Sequence, residues 1–245
     1  IQNHLLQIIA LTAMERPASS RSRDIRDEKV NVLKCIPPLT LDNIALGQYA
    51  ASVEGGSRPG YIAEPSVPPG SLTPTYAALA LKIRNPRWEG VPFLIAAGKA
   101  LDQRVSEVCI RFRNVPQNIF CSDPAGDCLP ANRLVIRIQP DEAMYLKIVN
   151  KEPGLNMSLV ESELNLRYQS AFHGQIPDAY ERLILDVIHG DKSLFIRADE
   201  LAAAWDIFTP VLHELEARWA TPELYPFGSD GHDVGRALKD EYGFE

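Results

Sequence analysis

The chain has 245 residues, 45% of them hydrophobic and 23% charged, with a formal net charge of −7, the composition of a folded globular protein. That negative balance excludes the clustered basic surface that nucleic-acid binding needs, while a few local cations can still face a small anion. No run of 18 apolar residues is present to span a membrane and no charged-then-apolar leader opens the chain, so a cytoplasmic protein is expected.

Residues 1–15 read as a helix with Leu5, Leu6, Ile8, Ile9, Leu11 and Met14 spread over its faces, which predicts a buried helix. The sequence opens inside this pattern with neither a start signal nor a methionine, so the helix is expected to continue a longer, truncated polypeptide. Pro17 ends it. Ser22 to Ile36 predicts a second helix, with Asp24, Asp27 and Glu28 early, Lys34 late and Pro37-Pro38 as its stop. Residues 52–75 are rich in Gly, Pro and Ser and read as a long loop.

From Tyr76 to Tyr168 the apolar period changes to two. Strands are predicted at 76–84, 91–97, 106–113, 133–139, 143–150 and 159–168, with a weaker one near 44–51. No helical stretch separates them, so the pairing should be mainly antiparallel. Val108, Ile110 and Phe112 alternate with Cys109, Arg111 and Arg113; Leu134, Ile136 and Ile138 alternate with Val135, Arg137 and Gln139. Met144, Leu146 and Ile148 alternate with Tyr145, Lys147 and Val149, and Leu164 and Leu166 alternate with Glu163, Asn165 and Arg167. One face is therefore apolar and should lie under helices, and the other carries mixed charge.

A helix is predicted from Pro177-Asp178 to about Ile188, and another from Arg197 or Asp199 to about Arg218, broken or kinked at Pro210. The tail from Ala220 reads as irregular. The fold class is α+β: one domain over 1–245, a large mainly antiparallel sheet with helices packed on one face.

Pattern alone yields few sites. His4 shares a helix face with Ile8 and Leu11, and a histidine in that setting is either a structural residue or a base. Lys99 follows Gly98 at the end of an apolar strand, where a lysine can reach an anion; Lys99 and Arg104 meet only if the chain turns between them. The alternative is a pair of solvated loop cations. Arg137 and Gln139 leave one strand face, which Tyr145 and Lys147 of the next strand can join; a charge-patterned surface or a subunit interface is the other reading. The four cysteines, Cys35, Cys109, Cys121 and Cys128, form no C-x-x-C pair, so reduced thiols are expected and a metal site is not. No dinucleotide fingerprint is present: Glu54-Gly55-Gly56 lacks the strand-to-helix switch.

Several strings occur in order: Gln2-Asn3-His4-Leu5-Leu6-Gln7, Arg26-Asp27-Glu28-Lys29-Val30, Leu46-Gly47-Gln48-Tyr49, Arg87-Trp88-Glu89-Gly90-Val91-Pro92-Phe93 and Gly98-Lys99-Ala100-Leu101. Val135-Ile136-Arg137-Ile138-Gln139-Pro140 and Pro177-Asp178-Ala179-Tyr180-Glu181-Arg182-Leu183-Ile184-Leu185-Asp186-Val187 follow. Through them nearly the whole chain resembles the carboxy-terminal, substrate-binding and dimerisation half of the glucose-6-phosphate dehydrogenase family. The resemblance implies an enzyme that oxidises glucose 6-phosphate at carbon 1 to 6-phosphogluconolactone, passing hydride to NADP. It implies His4 as catalytic base and Lys99, Arg104 and Gln139 as substrate-binding residues.

The family's coenzyme half, a Rossmann domain, has no counterpart in these residues, nor has its substrate peptide or the carboxylate that orients the histidine. The catalytic NADP site is therefore expected outside this chain, which alone would be catalytically silent, a dimerisation module. Many members hold a second, structural NADP. Arg137, Tyr145 and Lys147 match that site, but Ala96, Val105, Cys109 and Asp230 stand where basic residues are common and the tail lacks the usual tyrosine and tryptophan. The structural NADP is expected to be absent. A homodimer or tetramer through the sheet is implied, with contacts from Arg137, Tyr145, Lys147, Glu163 and Arg167.

Overall fold

The computed structural model describes residues 1–52, 58–114, 131–171 and 179–243. In chain order the elements are α1 (His4–Ala13), α2 (Ser22–Lys34), β1 (Ile44–Ala50), β2 (Tyr76–Lys82), β3 (Pro92–Gly98), β4 (Ser106–Arg111) and β5 (Arg133–Gln139). After them come β6 (Ala143–Lys151), β7 (Leu159–Arg167), α3 (Tyr168–Ala171), α4 (Ala179–His189), α5 (Ala198–Arg218), β8 (Glu223–Pro226) and α6 (Arg236–Glu241). The α+β class holds, and every strand predicted from period two is present. The predicted Pro177-Asp178 helix start, Glu54-Gly55-Gly56, Cys121 and Cys128 lie outside the described residues.

The strands do not form one large sheet. They form two four-stranded sheets, ordered β3-β2-β1-β8 and β4-β5-β6-β7, and the chain divides into compact units of residues 1–102 with 177–245, and 103–176. The ladder stops after β3 because Gly98 ends the strand and Ala100 takes a positive φ of 54°, a left-handed conformation that extended pairing cannot continue.

In the first unit, β1, β2 and β3 pair antiparallel and β8 joins β1 in parallel. Period two gives the sheet two faces. Leu79 and Leu81 of β2, with Ile83 beyond it, meet Leu6, Ile9, Ala10 and Ala13 of α1, Val32 and Leu33 of α2, and Ala203, Ala204, Ile207, Phe208 and Val211 of α5. Helices thus cover a face of this sheet, whereas the row predicted to lie under helices belongs to the other sheet; α1, read as buried, is not buried all round, since Leu11 is 53% exposed. Helix α5 runs through Pro210 without a break.

The opposite face is covered by the tail that reads as irregular in the sequence. Tyr76, Ala78, Tyr225 and Val234 form a second buried cluster there. Close approach needs small residues. A Cβ on Gly47 would stand 2.9 Å from Val234, and one on Gly235, where φ is +68°, would stand 2.4 Å from the Ala45 methyl. Lys239 is buried and donates from Nζ to the carbonyls of His232, at 2.8 Å, and Gly231, at 3.4 Å.

One buried ion pair joins the three helices. Lys29 Nζ of α2 lies 2.8 Å from Glu200 Oε1 of α5, with side chains 4% and 0% exposed. Gln7 Nε2 of α1 donates to the same oxygen at 2.7 Å, and the Arg197 backbone N–H donates to Glu200 Oε2 at 3.4 Å. Both carboxylate oxygens are thus engaged, the condition for a buried charge to be tolerated.

In the second unit β4 to β7 pair antiparallel in sequence order, with a register irregularity at Ser106 and Glu107. Its apolar row is not buried as predicted: Leu164 is 61% exposed, and Phe112, Ile138, Met144 and Leu166 are exposed too. Alternation fixes which side chains share a face but not what lies over that face.

Breaking the buried pair from one side should be costly. Lys29→Ala should lower unfolding free energy in urea by about 3–5 kcal/mol, because Glu200 is left charged and buried. The double variant Lys29→Met with Glu200→Leu should lose much less. A loss under about 1 kcal/mol in Lys29→Ala would show that Glu200 sheds its charge or finds water.

Candidate functional site

Helix α1 carries His4 at its first turn. Its other end is fixed by the Trp88 indole, which donates from Nε1 to the Ala13 carbonyl at 2.8 Å, at the turn between β2 and β3. His4, nine residues back along the helix, stands away from that turn. Its side chain is exposed, while Gln7, less than one turn on, is tied to the buried Glu200. A solvent-facing imidazole on an anchored helix can accept a proton from a bound molecule.

Lys99 lies just past β3, at the hairpin end opposite Trp88, and its side chain is also exposed. Its backbone is closely held. The Lys99 N–H donates to the Thr75 carbonyl at 2.9 Å, and the Lys99 carbonyl accepts from the Tyr225 hydroxyl at 2.7 Å. The Ala100 carbonyl accepts from the Gly228 N–H at 2.8 Å, and the Asp102 N–H donates to the Ser229 carbonyl at 2.9 Å. Gly98 is required in front: a Cβ there would lie 2.4 Å from the Tyr76 ring and 3.1 Å from Leu101, closer than packed carbons tolerate. The result is a loop held at several backbone points, with an exposed cation projecting from it.

Burial raises the pKa of the Tyr225 phenol, the Thr75 hydrogen bond opposing it and the neighbouring Tyr49 adding to the rise. The phenol therefore keeps its proton and remains a donor at neutral pH. Sequence reading missed Tyr225. The available signal was a short extended run, Glu223-Leu224-Tyr225 ahead of Pro226, too brief for periodicity to register.

Arg104 and Gln139 belong to the second unit. Gln139 ends β5 opposite Ser106, and Arg104 is two residues before that partner, so both stand at one end of the sheet with exposed side chains. Farther along, the sheet gathers Arg137, Tyr145 and Lys147 as predicted. The Arg137 guanidinium and Lys147 ammonium lie 5.7 and 5.9 Å from the Tyr145 ring centroid. Each cation already has a carboxylate: Arg137 lies 3.7 Å from Glu107, and Lys147 lies 3.7 Å from Glu161, which also takes Arg133 at 3.0 Å. Among the described residues no cluster of three or more His, Cys, Asp and Glu side chains is placed to hold a metal ion, and no helix is long and apolar enough to cross a membrane.

By fold and by its presented side chains, the chain is an α+β protein that displays an imidazole and several cations from firmly held backbone. All of residues 1–245 match the family model for glucose-6-phosphate dehydrogenase, C-terminal domain, and the chain belongs to that family. It is 54% identical over 244 residues to glucose-6-phosphate 1-dehydrogenase 1, chloroplastic, of Arabidopsis thaliana, covering 99% of this chain and 42% of that protein. It is 49% identical over 245 residues to the glucose-6-phosphate 1-dehydrogenase of Dictyostelium discoideum, covering 100% of this chain and 48% of that one. A solved glucose-6-phosphate dehydrogenase in complex with its substrate glucose-6-phosphate superposes with a TM-score of 0.91 at 43% identity, over 100% of this chain and 49% of the other. The chain thus spans about half the length of such relatives, some of which carry chloroplastic names.

Proposed function

We propose that this chain is the substrate-binding part of an NADP-dependent dehydrogenase that oxidises glucose 6-phosphate at carbon 1 to 6-phosphogluconolactone. The observation that carries the reading is the family match over all 245 residues, and the similar solved dehydrogenase in complex with glucose-6-phosphate supports it. The His4 imidazole takes the carbon-1 hydroxyl proton as hydride leaves that carbon. Lys99, Arg104 and Gln139 bind the sugar phosphate, the two cations answering its dianion. NADP is the hydride acceptor, and its catalytic site lies outside these residues.

Kinetics of a full-length enzyme carrying this chain test the assignment. His4→Asn should lower kcat by about 10²- to 10⁴-fold with little change in substrate affinity. Lys99→Ala should raise KM for glucose 6-phosphate far more than for unphosphorylated glucose. Near-normal turnover in the first variant, or equal effects on both sugars in the second, would overturn the roles.

The polar face of the second sheet supports two further proposals. A structural NADP is not bound there: Glu107 and Glu161 already partner the cations, and a polyanion would have to displace them. Micromolar NADP should leave the thermal midpoint of the chain unchanged, and a rise of several degrees would refute this.

The same mixed-charge face, through Arg137, Tyr145, Lys147, Glu163 and Arg167, pairs two subunits, since opposite signs can meet across a two-fold axis. Separated from a coenzyme domain, the chain would act as a catalytically silent dimerisation module. Sedimentation at tens of micromolar should show a dimer or tetramer, and a strict monomer with intact fold would count against it.

A further inference from the structure

The backbone of Lys99 is held at its carbonyl by the end of a chain of donors. The Tyr49 N–H donates to Thr75 Oγ1 at 3.0 Å, and Thr75 Oγ1 lies 2.9 Å from the Tyr225 hydroxyl oxygen. The Tyr225 hydroxyl hydrogen is committed to the Lys99 carbonyl at 2.7 Å. A phenol has a single hydrogen to give, so the Thr75 hydroxyl must be the donor in the middle link. Every bond in the series then runs one way, from the Tyr49 amide through Thr75 and Tyr225 to Lys99.

Such a series polarises each hydroxyl in the sense that strengthens the next bond. Tyr225 is only 1% exposed, so its hydroxyl makes these bonds in a buried setting. Its ring is braced by Tyr76, with centroids 5.6 Å apart, and by Tyr49 at 6.5 Å. The arrangement fixes where the exposed Lys99 side chain leaves the backbone.

We propose that Tyr225 and Thr75 are positioning residues for Lys99, setting its reach toward the phosphate of the substrate without touching that substrate. This rests on the reading of Lys99 as a phosphate-binding residue. Neither residue chemically resembles a sugar-phosphate ligand set, since Tyr225 is buried and both hydroxyls are spent on each other and on backbone.

The test is a double-mutant cycle in a full-length enzyme carrying this chain. Tyr225→Phe keeps the ring and removes only the hydroxyl. It should raise KM for glucose 6-phosphate about three- to tenfold, the worth of one buried hydrogen bond, with kcat within about twofold and no comparable change for unphosphorylated glucose. Thr75→Val, which removes the first and middle links but keeps the Tyr225 hydroxyl, should act in the same direction.

In a Lys99→Ala background both effects on KM should vanish, because nothing remains to be positioned. Persistence of either effect in that background, or equal changes with both sugars, would show a merely structural role and overturn the proposal. If Lys99→Ala alone fails to distinguish the two sugars, the phosphate reading of Lys99 falls first and the positioning role falls with it. If Lys99→Ala distinguishes them but neither hydroxyl variant does, only the positioning role is lost.

Discussion

A carboxylate with no exposed surface holds the helical layer together. Glu200 on α5 draws Lys29 from α2 and Gln7 from α1 to a single oxygen, and the rest of the first unit is arranged around that meeting point. Taking both charges out of water carries a penalty of several kcal/mol per ion, which their attraction offsets only if the geometry is good and the remaining lone pairs are filled. That requirement fixes more than proximity. Apolar packing of the kind in the cluster that includes Leu33 and Ile207 permits small slides, whereas a charged atom at 2.8 Å permits almost none. The helix that carries His4 is thereby held in register over the sheet.

His4 and Lys99 share one feature: the backbone is held and the side chain is exposed. His4 projects from an anchored helix, and Lys99 projects from a loop whose N–H and carbonyl are both bonded. Locking backbone at the folding stage means that less ordering remains when a ligand arrives. Arg104 and Gln139 differ in kind. They sit at the end of a sheet whose apolar row is open, and their own positions are set by strand register alone.

The strands were legible from their period of two, as where Leu164 and Leu166 alternate with Glu163, Asn165 and Arg167, although in β5 the buried residue is Val135, on the face read as polar. The helix around Lys29 was legible from its charges and its terminal prolines. The division into two sheets was not, since it depends on Ala100 at positive φ, a conformation that alanine composition does not announce. The tail escaped for another reason. Its burial rests on single residues, Tyr225 and Val234 packed against partners distant in sequence and Lys239 bonded to the carbonyls of Gly231 and His232, and no window contains enough of them to form a pattern. His4 and Lys99 were candidates by their place in the pattern, but only the resemblance gave them roles, because a lone histidine or lysine has no periodicity to read.

The contact between the tail and the first sheet has a consequence for which substitutions that region accepts. Elsewhere in a core, a methyl group added to the right cavity stabilises by removing apolar surface from water. At Ala45, Gly47, Ala78 and Gly235 there is no cavity to fill, and the layers are separated by hydrogens and single methyls. A carbon added at Gly47 or Gly235 would stand 2.9 Å from Val234 or 2.4 Å from the Ala45 methyl, so the tail would have to give way whatever the polarity of the added group. Serine and alanine would be close equivalents at Gly47, and valine worse than either, so tolerance would rank by length and width while hydrophobicity dropped out of the ordering.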